Sequence, residues 1–291
     1  MFVVLLRISA VVLMMSYSTS LWAVVYGPSM HQAEWRLRSS VFECRLWQPI
    51  PAFGEAVFSN RAGEDQRFHL APVKVLLNRG KASLFSEAPL WDDSRSRENL
   101  GYVAVTDNSE PVRLGKDKTY RLLNELYGGM SPVFTRQSWY QRDESIQVFL
   151  SSIHFRKAYR EYLGCLSGLL PANFDQIVRS RIHFDSNESE LTASSKTRLD
   201  HIVLYVKADP LEISFYVDGH TDDRGRRLEN LKLSKRRAEV VTRYLIARGV
   251  SEALIVTRQH GEAYPVINNK SAKNRAANRR VTIRLEREGD V

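Results

Sequence analysis

The hydrophobic pattern of this 291-residue chain changes once, at Leu169-Leu170-Pro171-Ala172-Asn173-Phe174-Asp175, and that change limits the fold more than any single motif. Before it, short runs of β-branched, aromatic and aliphatic residues read as strands: Phe42–Trp47, Arg67–Leu77, Ala82–Phe85, Tyr102–Thr106, Thr119–Leu126 and Ser145–Ile153. Turn signals separate them at Pro49-Ile50-Pro51, Asn78-Arg79-Gly80, Asp107-Asn108 and Gly128-Gly129. The last stretch, His154–Cys165, reads as a helix, with Phe155, Ala158, Tyr159 and Tyr162 at helical spacing. After Pro171, strands alternate with helices. Ile177–Phe184 is a strand. Thr192 caps a helix whose apolar face is Leu199, Ile202, Val203 and Val206, and Pro210 ends it. Ile213, Phe215 and Val217 alternate as a strand that runs into Gly219. A second helix carries Leu233, Ala238, Val241 and Leu245 and stops at Gly249. Leu254–His260 and Val281–Leu285 complete the order β-α-β-α-β-β, an α+β arrangement with two helices packed on one mixed sheet. Two domains follow: a mostly β domain over 24–170 and the α+β domain over 171–291.

Residues 1–23 have the layout of a secretory signal peptide: Arg7 within an apolar run from Phe2 to Met15, then small polar residues, then Leu21-Trp22-Ala23, with cleavage expected after Ala23. No Cys stands near that point to carry a lipid anchor, and no later stretch is apolar enough to span a membrane as a helix. The expected product is exported to the periplasm. In an oxidising compartment two lone cysteines pair, so Cys44 and Cys165 are expected to form a disulfide that closes the N-terminal domain. The net charge of +9 is spread, +4 over residues 1–170 and +5 over 171–291, whereas a nucleic-acid binder concentrates it in one stripe. No nucleic-acid partner is expected.

The chemistry concentrates after the second strand of the C-terminal domain, at Gly219-His220-Thr221-Asp222. Asp222 stands in a turn, and Arg237 lies one or two turns into the helix that folds back over the strand end. That places a carboxylate, a guanidinium and the first N–H groups of a helix at one rim, partners for a ligand that carries both charges. The plainer alternative is a surface salt bridge between Asp222 and Arg237, contributing about 0–1 kcal/mol. His183, His220 and His260 fall near strand ends but lack the short spacing of a metal site, so neither a metal nor any other cofactor is expected. Asp222 and Asp223 could suggest a wall hydrolase. Asp223 is more simply a turn residue, there is no nucleophile–base pair, and no enzymatic activity is expected.

The spacing of Asn230, Leu233-Ser234, Arg237-Ala238, Val241 and Leu245 resembles the helix signature of the OmpA-like C-terminal domain, a peptidoglycan-binding family. Further blocks follow in order: Phe184 and Leu191, Gly219–Asp222, Gly261-Glu262, Pro265, Asn269, Arg275 and Asn278-Arg279-Arg280-Val281. The resemblance implies that Asp222, after His220-Thr221, takes the ammonium of the diaminopimelate in the peptide stem and that Arg237 takes the adjacent carboxylate. A guanidinium does this through two parallel bonds that Lys cannot reproduce. Thr221, Asn230, Leu233, Asn269, Arg275 and Arg279 are further candidates, with Leu233 and Arg279 the readiest to serve packing or sheet-edge roles.

Within that family, a lipoprotein needs a Cys after the leader, an ion-driven stator subunit needs an acidic residue in a retained membrane helix, and a porin needs eight membrane strands with apolar outer faces. The N-terminal region instead resembles the MotY family of periplasmic flagellar-motor proteins. The matching blocks are Cys44-Arg45-Leu46, Ile50-Pro51, Phe53–Phe58, Ala62-Gly63-Glu64, Phe68 and Leu169–Asp175. That resemblance implies an N-terminal domain attached to basal-body ring proteins, a C-terminal domain on the wall, and help in assembling and anchoring the stator complex. Trp91, Trp139 and Tyr140 are candidates for the ring-facing surface. A general envelope protein that tethers the outer membrane to the wall is the alternative.

Overall fold

The computed structural model describes residues 23–89, 92, 94–138 and 144–289. All of the expected leader except Ala23 lies outside that set, as do Trp91, Trp139 and Tyr140.

The first half comprises β1 (Ala23–Tyr26), β2 (Arg36–Ser39), β3 (Glu43–Ile50), β4 (Gly54–Arg61), β5 (Arg67–Pro72), β6 (Gly80–Glu87), β7 (Glu98–Val105), β8 (Val112–Leu114), α1 (Lys116–Tyr127), β9 (Ser131–Gln137), β10 (Ser145–Phe149) and α2 (Phe155–Ser167). The strands form two five-stranded sheets, in the orders β1-β10-β9-β6-β7 and β2-β3-β4-β5-β8. Strand alternation builds the core between them. On β3 every second residue, Cys44, Leu46, Gln48 and Ile50, turns inward. Phe68 of one sheet stacks on Phe134 of the other, with ring centroids 5.6 Å apart. Helix α2 closes the open side of that core, setting Phe155 against Trp35 with centroids at 4.9 Å and burying Tyr162. Cys165 on α2 is bonded to Cys44 on β3, Cα to Cα 6.0 Å, across 121 residues of chain.

Two local expectations change. Thr119–Leu126, expected as a strand, lies in α1, because Thr119, Leu122, Leu123 and Leu126 recur at helical spacing and bury one side. The side chain of Thr119 also bonds back to the Gly115 carbonyl at 2.9 Å. Pro49 and Ile50, expected in a turn, end β3. Strand β2 has already stopped opposite Trp47, so Pro49 sits where one flank of β3 has no partner strand. The turn itself is displaced to Pro51–Phe53, with Ala52 at φ 61°.

The second half comprises α3 (Phe174–Ile177), β11 (Arg179–His183), α4 (Ala193–Ala208), β12 (Ile213–Gly219), α5 (Arg227–Ala247), β13 (Ile255–Gln259), α6 (Ala272–Asn278) and β14 (Arg280–Arg287). The sheet order is β11-β14-β12-β13, with β12–β13 parallel and the other pairs antiparallel. Leu199, Ile202 and Val203 of α4 and Ala238, Val241 and Leu245 of α5 pack on Phe215, Val217, Val281 and Ile283 of the sheet. Thr192 caps α4 by accepting from the Ser195 N–H at 3.1 Å. The order differs from β-α-β-α-β-β by two short helices, α3 before the first strand and α6 between the last two. Each is held by side-chain caps, Asn173 and Ser271, and is too short to show an amphipathic period.

Two hydrophobic cores result, one spanning Trp35 to Tyr162 and the other Ala172 to Leu285. A polar seam joins them. Asn173 donates to the Ala62 carbonyl (3.0 Å) and Glu64 (2.9 Å), Gln176 to the Gly63 carbonyl (2.9 Å), and Arg61 pairs with Asp175 (2.8 Å). Gly63 has φ +69°, and a Cβ there would stand 2.8 Å from Ala172 Cα.

Candidate functional site

Strand β12 ends at Gly219, and the close approach of α5 decides what happens next. A Cβ on Gly219 would lie 2.1 Å from the Ser234 carbonyl oxygen, so only glycine lets the helix pack this close to the strand end. The chain then leaves the sheet as His220-Thr221-Asp222. His220 N–H is held by the Arg280 carbonyl at 2.9 Å and Thr221 N–H by the Gly261 carbonyl at 2.7 Å.

Helix α5 begins at Arg227, earlier than the sequence pattern suggested, so Arg237 sits about three turns in. Its side chain is fully buried. Nε donates to the Glu188 carbonyl (2.7 Å), Nη1 to that of His220 (3.2 Å) and Nη2 to that of Asp185 (2.9 Å). The guanidinium also lies over the Phe184 ring, 5.3 Å from its centroid. Arg237 thus ties the loop after β11 to the loop after β12. Burial lowers its pKa to about 10, with Arg279 pushing the same way and Asp222 opposing, so it stays charged at neutral pH.

Asp222 pairs with Arg279 rather than Arg237, Oδ2 to Nη1 at 3.0 Å, both side chains largely buried. Its Oδ1 accepts from the Arg224 N–H at 3.2 Å. Arg279 Nε donates to the Phe184 carbonyl at 3.2 Å. Asn230 donates to Glu262 at 2.8 Å and to the Asp222 carbonyl at 3.4 Å. Between these groups lies a cavity of about 170 Å³ lined by Thr221, Asp222, Asn230, Leu233, Arg237 and Arg279, together with Ser186, Asn187, Arg224, Gly225, Glu229 and Arg236. The Thr221 hydroxyl, one of the lining groups, is buried with no hydrogen-bond partner. A carboxylate, several guanidiniums and an unspent hydroxyl around so small a space suit a ligand that bears an ammonium and a carboxylate close together.

Asn269 and Arg275 do not reach this cavity. Asn269 accepts from Asn278 at 2.8 Å, and Arg275 donates to the Asn269 carbonyl at 2.9 Å. They clasp the loop that precedes α6 onto that helix. Among the lining residues the sequence did not single out, Asn187 (φ 60°) and Gly225 (φ +97°) shape loops that carry no periodic signal. Arg236 belongs to the conspicuous basic run Lys235-Arg236-Arg237. Of the three histidines considered for metal, His220 and His260 stack with centroids 5.0 Å apart, and His260 contacts Asp218 at 3.0 Å. Among the described residues no group of three or more His, Cys, Asp or Glu is placed to hold a metal ion. Burial and the nearby Arg280 push His220 down to about 4, leaving it neutral beside the site.

Residues 183–279 match the model of the OmpA family. Over 126 residues the chain is 32% identical to the peptidoglycan-associated lipoprotein of Pseudomonas putida, covering 43% of this chain and 75% of that one. Over 102 residues it is 38% identical to outer membrane protein A of Bordetella avium, covering 35% and 52%. The fold and the site therefore define a two-domain protein that carries an OmpA-family domain at its C-terminal end. Residues 26–171 match the model of the MotY N-terminal domain. Over 265 residues, 90% of each chain, identity to the sodium-type flagellar protein MotY of Vibrio parahaemolyticus is 31%. The chain belongs to the MotY family. Among the described residues no helix is long and apolar enough to cross a membrane.

Proposed function

We propose that this protein is a non-catalytic structural component of the flagellar motor that works in the periplasm and grips the cell wall through its C-terminal domain. The observation that carries the reading is the cavity at the end of β12, a space of about 170 Å³ lined by the paired Asp222 and Arg279 together with Arg237 inside an OmpA-family domain. Its charges fit the diaminopimelate of the peptidoglycan stem: the ammonium at Asp222 and the Thr221 hydroxyl, the carboxylate at the guanidiniums. Residues 171–291 then form the wall-binding domain. Residues 24–170, with the MotY-type N-terminal domain, attach to the basal-body ring, and residues 1–23 are a leader removed on export. The match over 90% of the length of a flagellar protein supports the assignment to the motor. The seam of Arg61, Gly63, Asn173, Asp175 and Gln176 supports a mechanical role, because a load taken up at the wall passes to the other domain through several directed bonds. Such a bridge between ring and wall helps stator complexes assemble and stay anchored.

The test uses the full-length chain, fluorescently tagged, in cells that lack the protein. It should form foci at the flagellar base, co-purify with basal bodies and restore swimming. Even distribution around the envelope with no effect on swimming would favour a general tether of the outer membrane to the wall and overturn the motor assignment.

A further inference from the structure

A second cavity, of about 530 Å³, adjoins the first and shares Arg279 as a wall. It lies between β11, the start of α4 and α6. Arg181 and His183 are two apart on β11, and so face the same side of the strand; both are exposed. Arg198 reaches it from α4, whose first turn, behind the Thr192 cap, turns the positive end of the helix toward the space. Three guanidiniums, Arg181, Arg198 and Arg279, therefore face one carboxylate, Asp185. Arg279 is engaged by Asp222 and the Phe184 carbonyl on its other side. Neither Arg181 nor Arg198 has an ion-pair or hydrogen-bond partner among the described residues. Partial burial of its ring lowers the pKa of His183, against a hydrogen bond with the Ala276 backbone that raises it, and Arg181, Arg280 and Arg198 lower it further, as expected of an uncompensated positive field.

We propose that this cavity is an anion subsite for the peptide stem, taking the free α-carboxylate of the γ-linked glutamate that precedes diaminopimelate. The proposal rests on the reading of the Asp222 cavity as the diaminopimelate site. The glutamate is joined through its γ-carboxyl, and the free ammonium–carboxylate centre of diaminopimelate stands at the end of its side chain. About ten bonds therefore separate the group anchored at Asp222 from the glutamate α-carboxylate, enough reach to pass Arg279 toward Arg181 and Arg198. Their free guanidinium forks match a carboxylate in two parallel bonds. The subsite makes the domain read two successive residues of the stem rather than diaminopimelate alone.

The test is calorimetric titration of the full-length chain with three ligands: free meso-diaminopimelate, the tripeptide L-Ala-γ-D-Glu-meso-diaminopimelate, and the same tripeptide with the glutamate α-carboxylate amidated. The unmodified chain should bind the free-acid tripeptide about tenfold more tightly than the amide. R181S/R198S should bind the two tripeptides equally while its affinity for free diaminopimelate is unchanged; R198S alone should show part of the loss and serves if the double variant does not fold. No preference in the unmodified chain, or a preference that survives in R181S/R198S, overturns the subsite. If free diaminopimelate fails to bind the unmodified chain, the Asp222 reading falls and the subsite with it. If the double variant instead loses binding to vesicles of anionic phospholipid while keeping its tripeptide preference, the cavity serves lipid phosphate and the proposal is wrong.

Discussion

Arg237→Ala should destabilise the C-terminal domain by about 3–5 kcal/mol, one of the largest single-residue effects in the chain. Three causes act together. The carbonyls of Asp185, Glu188 and His220 lose the side-chain donor that ties them together. A large, fully buried side chain leaves a void between two loops. The Phe184 ring loses the cation above it. Arg237→Lys should recover little, because one ammonium cannot span carbonyls that converge from two loops. Urea denaturation followed by circular dichroism reads the loss. A variant as stable as the parent would mean that the guanidinium serves the ligand alone.

Removing the disulfide should have an effect of similar size in the other domain. With a sequence separation of 121 from Cys44 to Cys165, the chain-entropy model gives about 4–5 kcal/mol. Helix α2 retains Phe155 and Tyr162 in the core, so Cys44→Ser/Cys165→Ser should fold but melt earlier, by roughly 10–15 °C. Peptide mapping without reductant should find the two cysteines linked. An unchanged melting temperature, in a parent shown to be oxidised, would mean that the unfolded chain is little constrained by the bridge.

The C-terminal fold was legible because its core positions obey simple periods. Ile213, Phe215 and Val217 alternate along β12, and Leu233, Ala238, Val241 and Leu245 keep to one side of α5. The N-terminal domain was harder. Thr119-Tyr120-Arg121-Leu122 has the composition of a strand, and only the spacing of its leucines shows the helix that tertiary packing selects. Strand β4 shows in the sequence only as a family block, since Gly54 and Ala56 weaken its strand signal. At the site, Asp222 and Arg237 could be named from their motif, but how they are used could not. The acceptors of Arg237 Nε and Nη2 lie 49 and 52 residues away in a loop with no period, and the partner of Asp222 stands 57 residues on, just before the last strand. Long-range polar geometry of this kind leaves no local trace in sequence, whereas apolar periodicity does.

The most direct test of the central claim is co-sedimentation of the full-length protein with purified sacculi whose stems carry either meso-diaminopimelate or lysine at the third position, for the parent and for Asp222→Asn. Lysine lacks the second carboxylate, and the amide of the variant lacks the charge that holds the ammonium. Each change leaves one half of the ligand or site unpaired, at a cost of about 1.5–3 kcal/mol. The parent should pellet with diaminopimelate sacculi and more than tenfold less with lysine sacculi, and Asp222→Asn should pellet poorly with both while keeping the parent's circular dichroism. Equal sedimentation of the parent with both wall types, undiminished in Asp222→Asn, would contradict the assignment of this cavity to the wall.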